Sequence, residues 1–231
     1  ENELPVITAP SETNAFIGQS TGVSGLSFTD ADDNTGFTVT VSASGTSQVS
    51  FTAFNSATAK DAAGNSVAVD ETSNTIVLSG TETQITNALG NLEYTTNSTT
   101  PGTETLSIEV EDTFGGTASQ DVTVNVGQQE NFTDQNDDNL MGTSGADIFN
   151  ANQATPAEIE AGDQADGGNG SDTLLVTNAG ANPLTALNDD AISSIESVSL
   201  EFKGAQTNDV AIDGGRVAEL VEIRWRRNLR V

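Results

Sequence analysis

The sequence predicts an all-β protein, in which an immunoglobulin-like β-sandwich with one short helix precedes a β-solenoid. Two observations support this prediction. Short alternating apolar stretches fill the chain up to about residue 126, and Gly/Asp/Asn-rich loops separate sparser strands beyond residue 133. Alternation with a period of two is typical of strands that bury one face. We therefore predict a sandwich over 1–127, a linker over 128–133 and a solenoid over 134–231.

The strands predicted for the first domain are short and separated by Gly, Asn, Asp and Ser turns. Seven or more such strands are typical of a β-sandwich. The same period of two appears around residues 49, 67, 76 and 92, and its longest examples are Phe37–Val41, Leu106–Val110 and Val122–Val126. One segment differs, because Thr81 and Gln84 fit a capping box ahead of apolar residues at helical spacing. We expect a helix there, from about Glu82 to Leu89.

The second domain is predicted to contain single strands that stack on one another. A polar segment without periodicity, Gly127–Thr133, suits a linker before it. Spaced strands with loops between them favour a solenoid, in which each coil adds a rung. The predicted strands are Thr173–Thr177, Ser197–Phe202, Asn208–Ile212 and Ala218–Trp225.

The composition excludes several classes of function. The chain has 34 Asp+Glu against 7 Lys+Arg, a net charge of −27, and neither Cys nor His. Disulfides, Cys/His zinc sites and Ser-His-Asp catalysis are therefore excluded, and we predict no enzyme. So acidic a surface repels nucleic acids and anionic membranes, and no apolar run approaches the roughly 20 residues of a membrane span. The opening Glu-Asn-Glu-Leu-Pro suggests a processed or excised part of a larger extracellular protein.

The sharpest motif is Gly167–Leu175, which fits the nine-residue pattern G-G-x-G-x-D-x-U-x at every specified position. Its glycines allow tight turns that aim carbonyl oxygens inward, and Asp172 adds a carboxylate. Hard oxygen ligands at this density select Ca²⁺. The candidate calcium ligands in this copy are Gly168, Gly170 and Asp172.

Weaker copies of the motif surround it. Gly142–Asn150 carries Thr where the second Gly belongs, and Asp138 and Asp163 precede the two motif aspartates by nine residues. Further candidate ligands are Gly145, Asp147, Asp138, Asp163 and Asp166. The alternative is a set of Gly/Asp turns without metal, although uncompensated carboxylates would then repel one another.

The segments GTSGADIFN, AGDQADGGNGSDTLLVT and SIESVSLEF occur here in that order. They resemble the RTX calcium-binding repeats of proteins exported by bacterial type I secretion, in particular the divergent form found in surface-layer proteins. The resemblance implies a parallel β-roll that folds when it binds Ca²⁺ outside the cell. The intact nonapeptides are few, so we expect few ions.

The first domain has its own resemblance. LPVITAP, LSFTDADDNTGFTVTVSAS, IVLSGTETQITNALGNLEYTT and GTETLSIEVEDTFGGTASQDVTVNV are similar to the cadherin-like repeats of large bacterial adhesins. That family implies calcium clamped by carboxylates at domain ends. Two acidic clusters are candidates to share one ion: Asp30, Asp32 and Asp33 form the first, and Glu109, Glu111 and Asp112 form the second. The alternative is that both clusters are solvated turns.

A basic segment, Arg224–Arg230, holds four of the seven basic residues. It is either an atypical chain end, a patch for nucleic acid or lipid, or a docking strand for the acidic face of a neighbouring subunit.

These features favour a secreted, calcium-stabilised structural protein that assembles with itself into a surface layer, sheath or filament. One alternative is a spacer in a large adhesin, for which a cell-surface glycan is a candidate partner. Another is the non-catalytic region of a type I-secreted enzyme.

Overall fold

The computed structural model describes residues 2–32, 35–134, 138–152, 158–159, 162–177, 192–202 and 222–227. The chain forms two compact units, Glu1–Val126 and Gly127–Val231, which we call the antiparallel unit and the parallel unit after the pairing of their strands. The secondary structure of the described residues consists of one helix and otherwise only of strands. The all-β class is therefore confirmed.

The antiparallel unit has its strands in three sheets. Their orders are β2-β11-β10-β5-β8-β7, β3-β9-β6 and β1-β4. The pairs β1-β4, β10-β11, β5-β10, β3-β9, β5-β8, β6-β9 and β7-β8 are antiparallel. The elements are β1 (Val6–Thr8), β2 (Glu12–Phe16), β3 (Ser20–Gly22), β4 (Ser27–Thr29), β5 (Phe37–Ala43), β6 (Gln48–Phe51), β7 (Thr58–Asp61), β8 (Thr75–Gly80), α1 (Glu82–Leu89), β9 (Leu92–Thr95), β10 (Gly102–Asp112) and β11 (Thr117–Gly127).

The core of this unit follows from the alternation in the sequence. In β5 the apolar residues Phe37, Val39 and Val41 are buried, while the Thr and Ser residues between them stay partly exposed. Burying such a side chain fully contributes about 1.5–3 kcal/mol. Side chains from the three-stranded sheet and the helix complete the same core, which gives a sandwich-like arrangement: Phe51, Leu92, Tyr94, Ile85 and Leu89.

The predicted helix is confirmed as α1, Glu82–Leu89. Its capping box is formed in both directions. The Thr81 hydroxyl accepts a hydrogen bond from the Gln84 amide at 3.3 Å, and the Gln84 side chain accepts one from the Thr81 amide at 2.9 Å. Ile85 and Leu89 lie one turn apart and are both buried, so one face of the helix belongs to the core.

The strand predicted around residue 67 is wrong. Val67 is buried but belongs to no strand, and Val69 is 48% exposed. Gly64 and Asp70 both have positive φ, at 86° and 62°, so the backbone turns on either side of this segment. Too few extended residues are left between these turns to form a ladder, and Ser66 makes only an isolated bridge to Lys60.

The parallel unit contains two sheets in which every strand pair is parallel. The larger has the order β12-β14-β16-β18-β19, and the smaller has the order β13-β15-β17. The strands are β12 (Gln129–Asn131), β13 (Asn139–Met141), β14 (Ile148–Asn152), β15 (Gln164–Asp166), β16 (Thr173–Thr177), β17 (Ile192–Ser193), β18 (Ser197–Phe202) and β19 (Glu222–Arg227). The strands predicted over 173–177 and 197–202 are confirmed. The strand predicted over 208–212, and residues 218–221 of the last one, lie outside the described residues.

Neighbouring strands of the larger parallel sheet follow one another at a nearly constant distance along the chain. Ile148 pairs with Thr173, Thr173 pairs with Ser197, and Ser197 pairs with Glu222. The first pair, Gln129 and Ile148, is closer in sequence than these three. Hydrogen bonds between successive coils likewise join residues that are 25 or 24 positions apart. The unit therefore repeats at this nearly constant distance, and equivalent side chains form columns across the sheet.

These columns build the core of the parallel unit. Two of them run through β14, β16 and β18, and all their side chains are buried: Phe149, Leu174 and Val198 in one, and Ala151, Val176 and Leu200 in the other. Alternate residues of one strand thus occupy separate columns, as the two-residue period requires.

Residues 128–133, expected to be a linker, contain strand β12. Gln129–Asn131 pairs in parallel with β14, and Phe132 is 4% exposed in the core of the parallel unit. The segment has a polar sequence because β12 is the edge strand of its sheet. Its strand character was not visible in the sequence, since so short a strand does not show a period.

Candidate functional site

The two best nonapeptide copies lie side by side in the parallel unit. Because Ile148 pairs with Thr173, the loop before β14 stacks on the loop before β16. The Gly142 amide donates to the Asp166 carbonyl at 2.7 Å, and the Asn169 amide donates to the Thr143 carbonyl at 3.0 Å. The aligned aspartates, Asp147 and Asp172, are 25 residues apart.

The two buried aspartates of these loops form a ladder with Glu196, which is partly buried and follows them in the chain. Asp147 accepts a hydrogen bond from the Gln128 amide at 2.5 Å, and Asp172 accepts one from the Asp147 amide at 2.7 Å. Glu196 accepts one from the Asp172 amide at 2.6 Å. Asp147 and Asp172 are 1% and 0% exposed. Each carboxylate thus fastens its loop to the preceding repeat, and we call the set Asp147, Asp172 and Glu196 the carboxylate ladder.

The two aspartates of the ladder differ at their second oxygen. Asp147 Oδ2 accepts hydrogen bonds from the amide and the hydroxyl of Thr143, at 2.6 and 2.9 Å. Asp172 Oδ2 is buried and has no hydrogen-bond partner in the described part of the chain, because Gly168 stands where Thr143 stands in the previous repeat. The Gly168 amide instead donates to Asp166 at 3.1 Å.

This difference is expressed in the pKa of Asp172. Burial raises the pKa of this carboxyl to about 7. The hydrogen bond from the Asp147 amide lowers the pKa, whereas the negative charges of Asp147 and Glu196 raise it further. A buried carboxylate with one unsatisfied oxygen is destabilised in its charged form. A cation or a proton bound at Oδ2 would remove that cost.

The motif glycines allow the loops to approach closely. A Cβ atom at Gly168 would overlap the carbonyl of Thr143, and one at Gly170 would overlap the carbonyl of Gly145. Both glycines also have positive φ, at 84° and 138°. Backbone stacking therefore accounts for Gly168 and Gly170, and the Gly145 carbonyl lies at the contact with Gly170.

The remaining predicted ligands of the parallel unit are also fixed by hydrogen bonds. Asp163 accepts from the Asp138 amide at 2.9 Å, and the Asp138 carboxylate accepts from the Thr133 amide at 2.8 Å. Hydrogen bonds from Ser194 and from the Gly168 amide lower the pKa of Asp166. Asp138 and Asp163, which are 25 residues apart, thus repeat the fastening seen in the carboxylate ladder.

At one end of the antiparallel unit the structure brings part of the two predicted acidic clusters together. The Asn2 side chain donates to Asp112 at 3.0 Å, and the amide of the next residue, Glu3, donates to Asp32 at 2.9 Å. Asp30 accepts from the Asp32 amide at 3.1 Å. The chain start thus ties Asp32 and Asp112 to the same end, and Asp33 lies outside the described residues.

Glu109 does not join this group. Asp112 is buried and accepts hydrogen bonds from the Phe114 and Gly116 amides at 2.7 Å, whereas Glu109 is exposed. The two residues are three positions apart on β10, so their side chains lie on opposite faces of the sheet. Burial opposes the ionisation of Asp112, but the hydrogen bonds from Asn2, Gly116 and Phe114 outweigh it and lower the pKa of this carboxyl.

A polar cluster that the sequence did not reveal surrounds Glu104. Its carboxylate accepts hydrogen bonds from the hydroxyls of Tyr94 at 2.8 Å, Ser47 at 2.9 Å and Thr96 at 3.1 Å. Burial, together with the bond to Glu104, raises the pKa of Tyr94 to about 12. The alternation along β10 leaves Glu104 on the inward side of the strand, which is the sequence signal that could have indicated it.

The described residues offer one buried carboxylate oxygen to a cation, but no complete set of calcium ligands. Protein calcium sites use six to eight oxygens, and the described residues contain no group of three or more Asp, Glu, His or Cys side chains able to hold a metal. Asp147 already uses both oxygens on N–H and O–H donors. Asp172 Oδ2 is buried and has no hydrogen-bond partner among the described residues, so its negative charge would favour a cation there.

Comparison with known proteins does not assign the chain to a family. The chain matches no protein-family model and no curated protein. In the described part of the chain, no helix has the length and apolar character needed to cross a membrane.

Proposed function

We propose that this chain is a secreted bacterial structural protein that assembles with copies of itself into a surface layer, sheath or filament. The observation that supports this proposal best is the larger parallel sheet, whose strands stack at a nearly constant repeat of 25 or 24 residues. In this proposal the parallel unit is an RTX-like β-solenoid, the antiparallel unit is a cadherin-like module, and type I secretion exports the protein.

Open sheets supply the physical reason for assembly. β12 and β19 are the end strands of the larger parallel sheet, and neither has a second strand partner among the described residues. An unpaired edge presents N–H and C=O groups that bind a further strand, unless a cap prevents it. A protein that carries such edges on a stable core is suited to a structural role.

Calcium is the proposed cofactor, and its proposed position is Asp172. When bound, Ca²⁺ would supply positive charge beside the unsatisfied Asp172 Oδ2 and would offset the repulsion from Asp147 and Glu196. Binding to the folded chain alone stabilises that state by mass action. Calcium would also reduce the self-repulsion of a chain with a net charge of −27.

The experiment is a calcium titration of the full chain, from chelator to about 10 mM Ca²⁺, followed by circular dichroism and light scattering. We expect thermal stability and particle size both to rise. The matched control is Asp172→Asn, which keeps an acceptor for the Asp147 amide but removes the charge. A particle size that stays monomeric throughout would overturn the assembly proposal, and a response unchanged in Asp172→Asn would overturn the calcium position.

A second candidate function is a spacer in a large adhesin, presenting a tip that binds a cell-surface glycan. The fastening of Asn2 and Glu3 to the acidic end of the antiparallel unit favours it, because a spacer needs a stiff joint at its end. A spacer would gain stability with calcium and stay monomeric, so the same titration separates the two functions.

We also propose that the chain is not catalytic, with a region behind a secreted enzyme as the remaining alternative. Without Cys or His, the chain lacks the usual thiol nucleophile and imidazole base. Turnover of ester, peptide or glycan substrates by the purified chain would overturn this.

A further inference from the structure

The last strand of the larger parallel sheet has one edge that is unpaired among the described residues. β19, Glu222–Arg227, pairs with β18 over six residues, from Ser197 with Glu222 to Phe202 with Arg227. Within the described part of the chain, no strand pairs with its other edge. The basic segment found in the sequence is therefore a regular strand of the ladder, one repeat beyond its neighbour.

This strand has the opposite charge to the rest of the molecule. β19 contains the three arginines Arg224, Arg226 and Arg227 and one acidic residue, Glu222. The remainder of the chain contains 33 acidic and four basic residues. Opposite surface charges bring proteins together and orient them, and like charges exclude wrong pairings. An acidic surface is the natural complement of β19, and the molecule's own surface is strongly acidic.

The first strand of the same sheet is protected against a similar contact. Glu130 of β12 pairs with Phe149, and so occupies the first position of the column that continues through the buried Leu174 and Val198. Its carboxylate accepts a hydrogen bond from the Gln128 side chain at 2.8 Å. A charge at a core position is a known protection of edge strands. In β19 the same register position is held by Ile223.

We propose that the open edge of β19 is a docking surface for the acidic surface of a second copy of this chain. The contact joins two different surfaces, so it leaves each new copy with its own free β19. Such a contact propagates into rings or filaments instead of closing as a two-fold dimer. This inference rests on the proposed function, since it names the surface through which that assembly grows.

The test compares the wild-type chain with two triple variants by sedimentation velocity at a fixed calcium concentration. R224Q/R226Q/R227Q removes the positive charge of β19, and R224K/R226K/R227K keeps it. K60Q removes one positive charge from β7 as a control. We expect the Gln variant to associate at least about tenfold more weakly than the wild type, and the Lys variant and K60Q to associate like the wild type. Equal unfolding midpoints would exclude misfolding.

Salt supplies the second readout. Wild-type association should weaken between about 50 mM and about 0.5 M NaCl, because salt screens attraction between opposite charges. Association that strengthens with salt would overturn the inference and indicate two basic strands in contact. If the Gln variant assembles like the wild type and with the same salt response, the inference about β19 is overturned, but the proposed function is not. A wild-type chain that never assembles would overturn the proposed function as well.

Discussion

Replacing Asp172 by Asn should stabilise the calcium-free protein, which is unusual for a change at a fully buried residue. One oxygen of Asp172 accepts the Asp147 amide, and an Asn side chain can keep that hydrogen bond. The other oxygen finds no partner among the residues that the structure describes, so the charge is buried with little compensation. The substitution removes the charge without removing the fastening between repeats.

The size of the effect follows from the pKa of this carboxyl. Burial raises it to about 7 from 3.8. At about 1.4 kcal/mol per pKa unit, ionised Asp172 costs the folded state at most about 4 kcal/mol, and screening lowers this figure. The new amide leaves an N–H group unsatisfied, which costs about 1–3 kcal/mol. We therefore expect a net gain of about 1–2 kcal/mol near pH 8 without calcium.

The pH dependence has a definite sign. Because the folded pKa of Asp172 is above its unfolded value, the folded state binds more protons between pH 3.8 and about 7. The contribution of this group to stability is therefore largest below that window and is lost as the pH rises through it. The Asp172→Asn variant should lack this contribution, so its advantage over the wild type should disappear near pH 4.

The matched comparison is Asp147→Asn, the same substitution at the equivalent position of the preceding repeat. Both oxygens of Asp147 accept hydrogen bonds, from Gln128 and from Thr143. The amide nitrogen of Asn cannot accept a hydrogen bond, so we expect the free energy of unfolding to fall by about 2–3 kcal/mol. Urea denaturation followed by circular dichroism, in chelator at about pH 8 and about pH 5, measures both variants. The reasoning is refuted if Asp172→Asn destabilises the protein as much as Asp147→Asn does.

Three further predictions test other parts of the structure. Gly142→Ala should lower the free energy of unfolding by about 3 kcal/mol, because its Cβ would overlap a backbone carbonyl of the next repeat. Gly22→Ala is the control, because a Cβ there meets open space, and thermal unfolding compares the two variants. Glu104→Gln should lower the pKa of Tyr94 from about 12, which an absorbance titration of the single tyrosine measures, and an unchanged value would contradict the described cluster. Thr81→Ala should cost about 1 kcal/mol by removing the helix cap, and no loss in urea denaturation would contradict that role.

Local patterns were sufficient to predict much of the fold. α1 was predicted from its capping box and spacing, and β16 and β18 from their alternation. The strands that were not predicted, such as β12 and β13, are too short to show a period. Their positions depend on partners in the next repeat, which no local pattern reveals.

The sequence predicted most residues of the candidate site, but it did not predict how they are arranged in space. The nonapeptide pattern selected Asp147 and Asp172, which the structure stacks in successive repeats. It missed Glu196, because that residue stands in no glycine-rich loop and belongs to the ladder only through its distance of 24 residues from Asp172. Two sequence copies alone did not reveal that the spacing between them is the repeat of the parallel sheet.

The nearly constant repeat also determines how this part of the protein can change in length during evolution. Removing residues 148–172 would join Asp147 directly to Thr173, whose amide already binds the Asp147 carbonyl at 2.9 Å. The carboxylate ladder and the core columns would then continue with one strand fewer in each sheet. The sheet already accommodates repeats of 25 and of 24 residues in one register, but a deletion that shifted a strand by one residue against its neighbour would move the side chains of that strand to the opposite face. Length variation is therefore tolerated in whole repeats, and the gene is expected to lengthen or shorten by the codons of one complete repeat at a time.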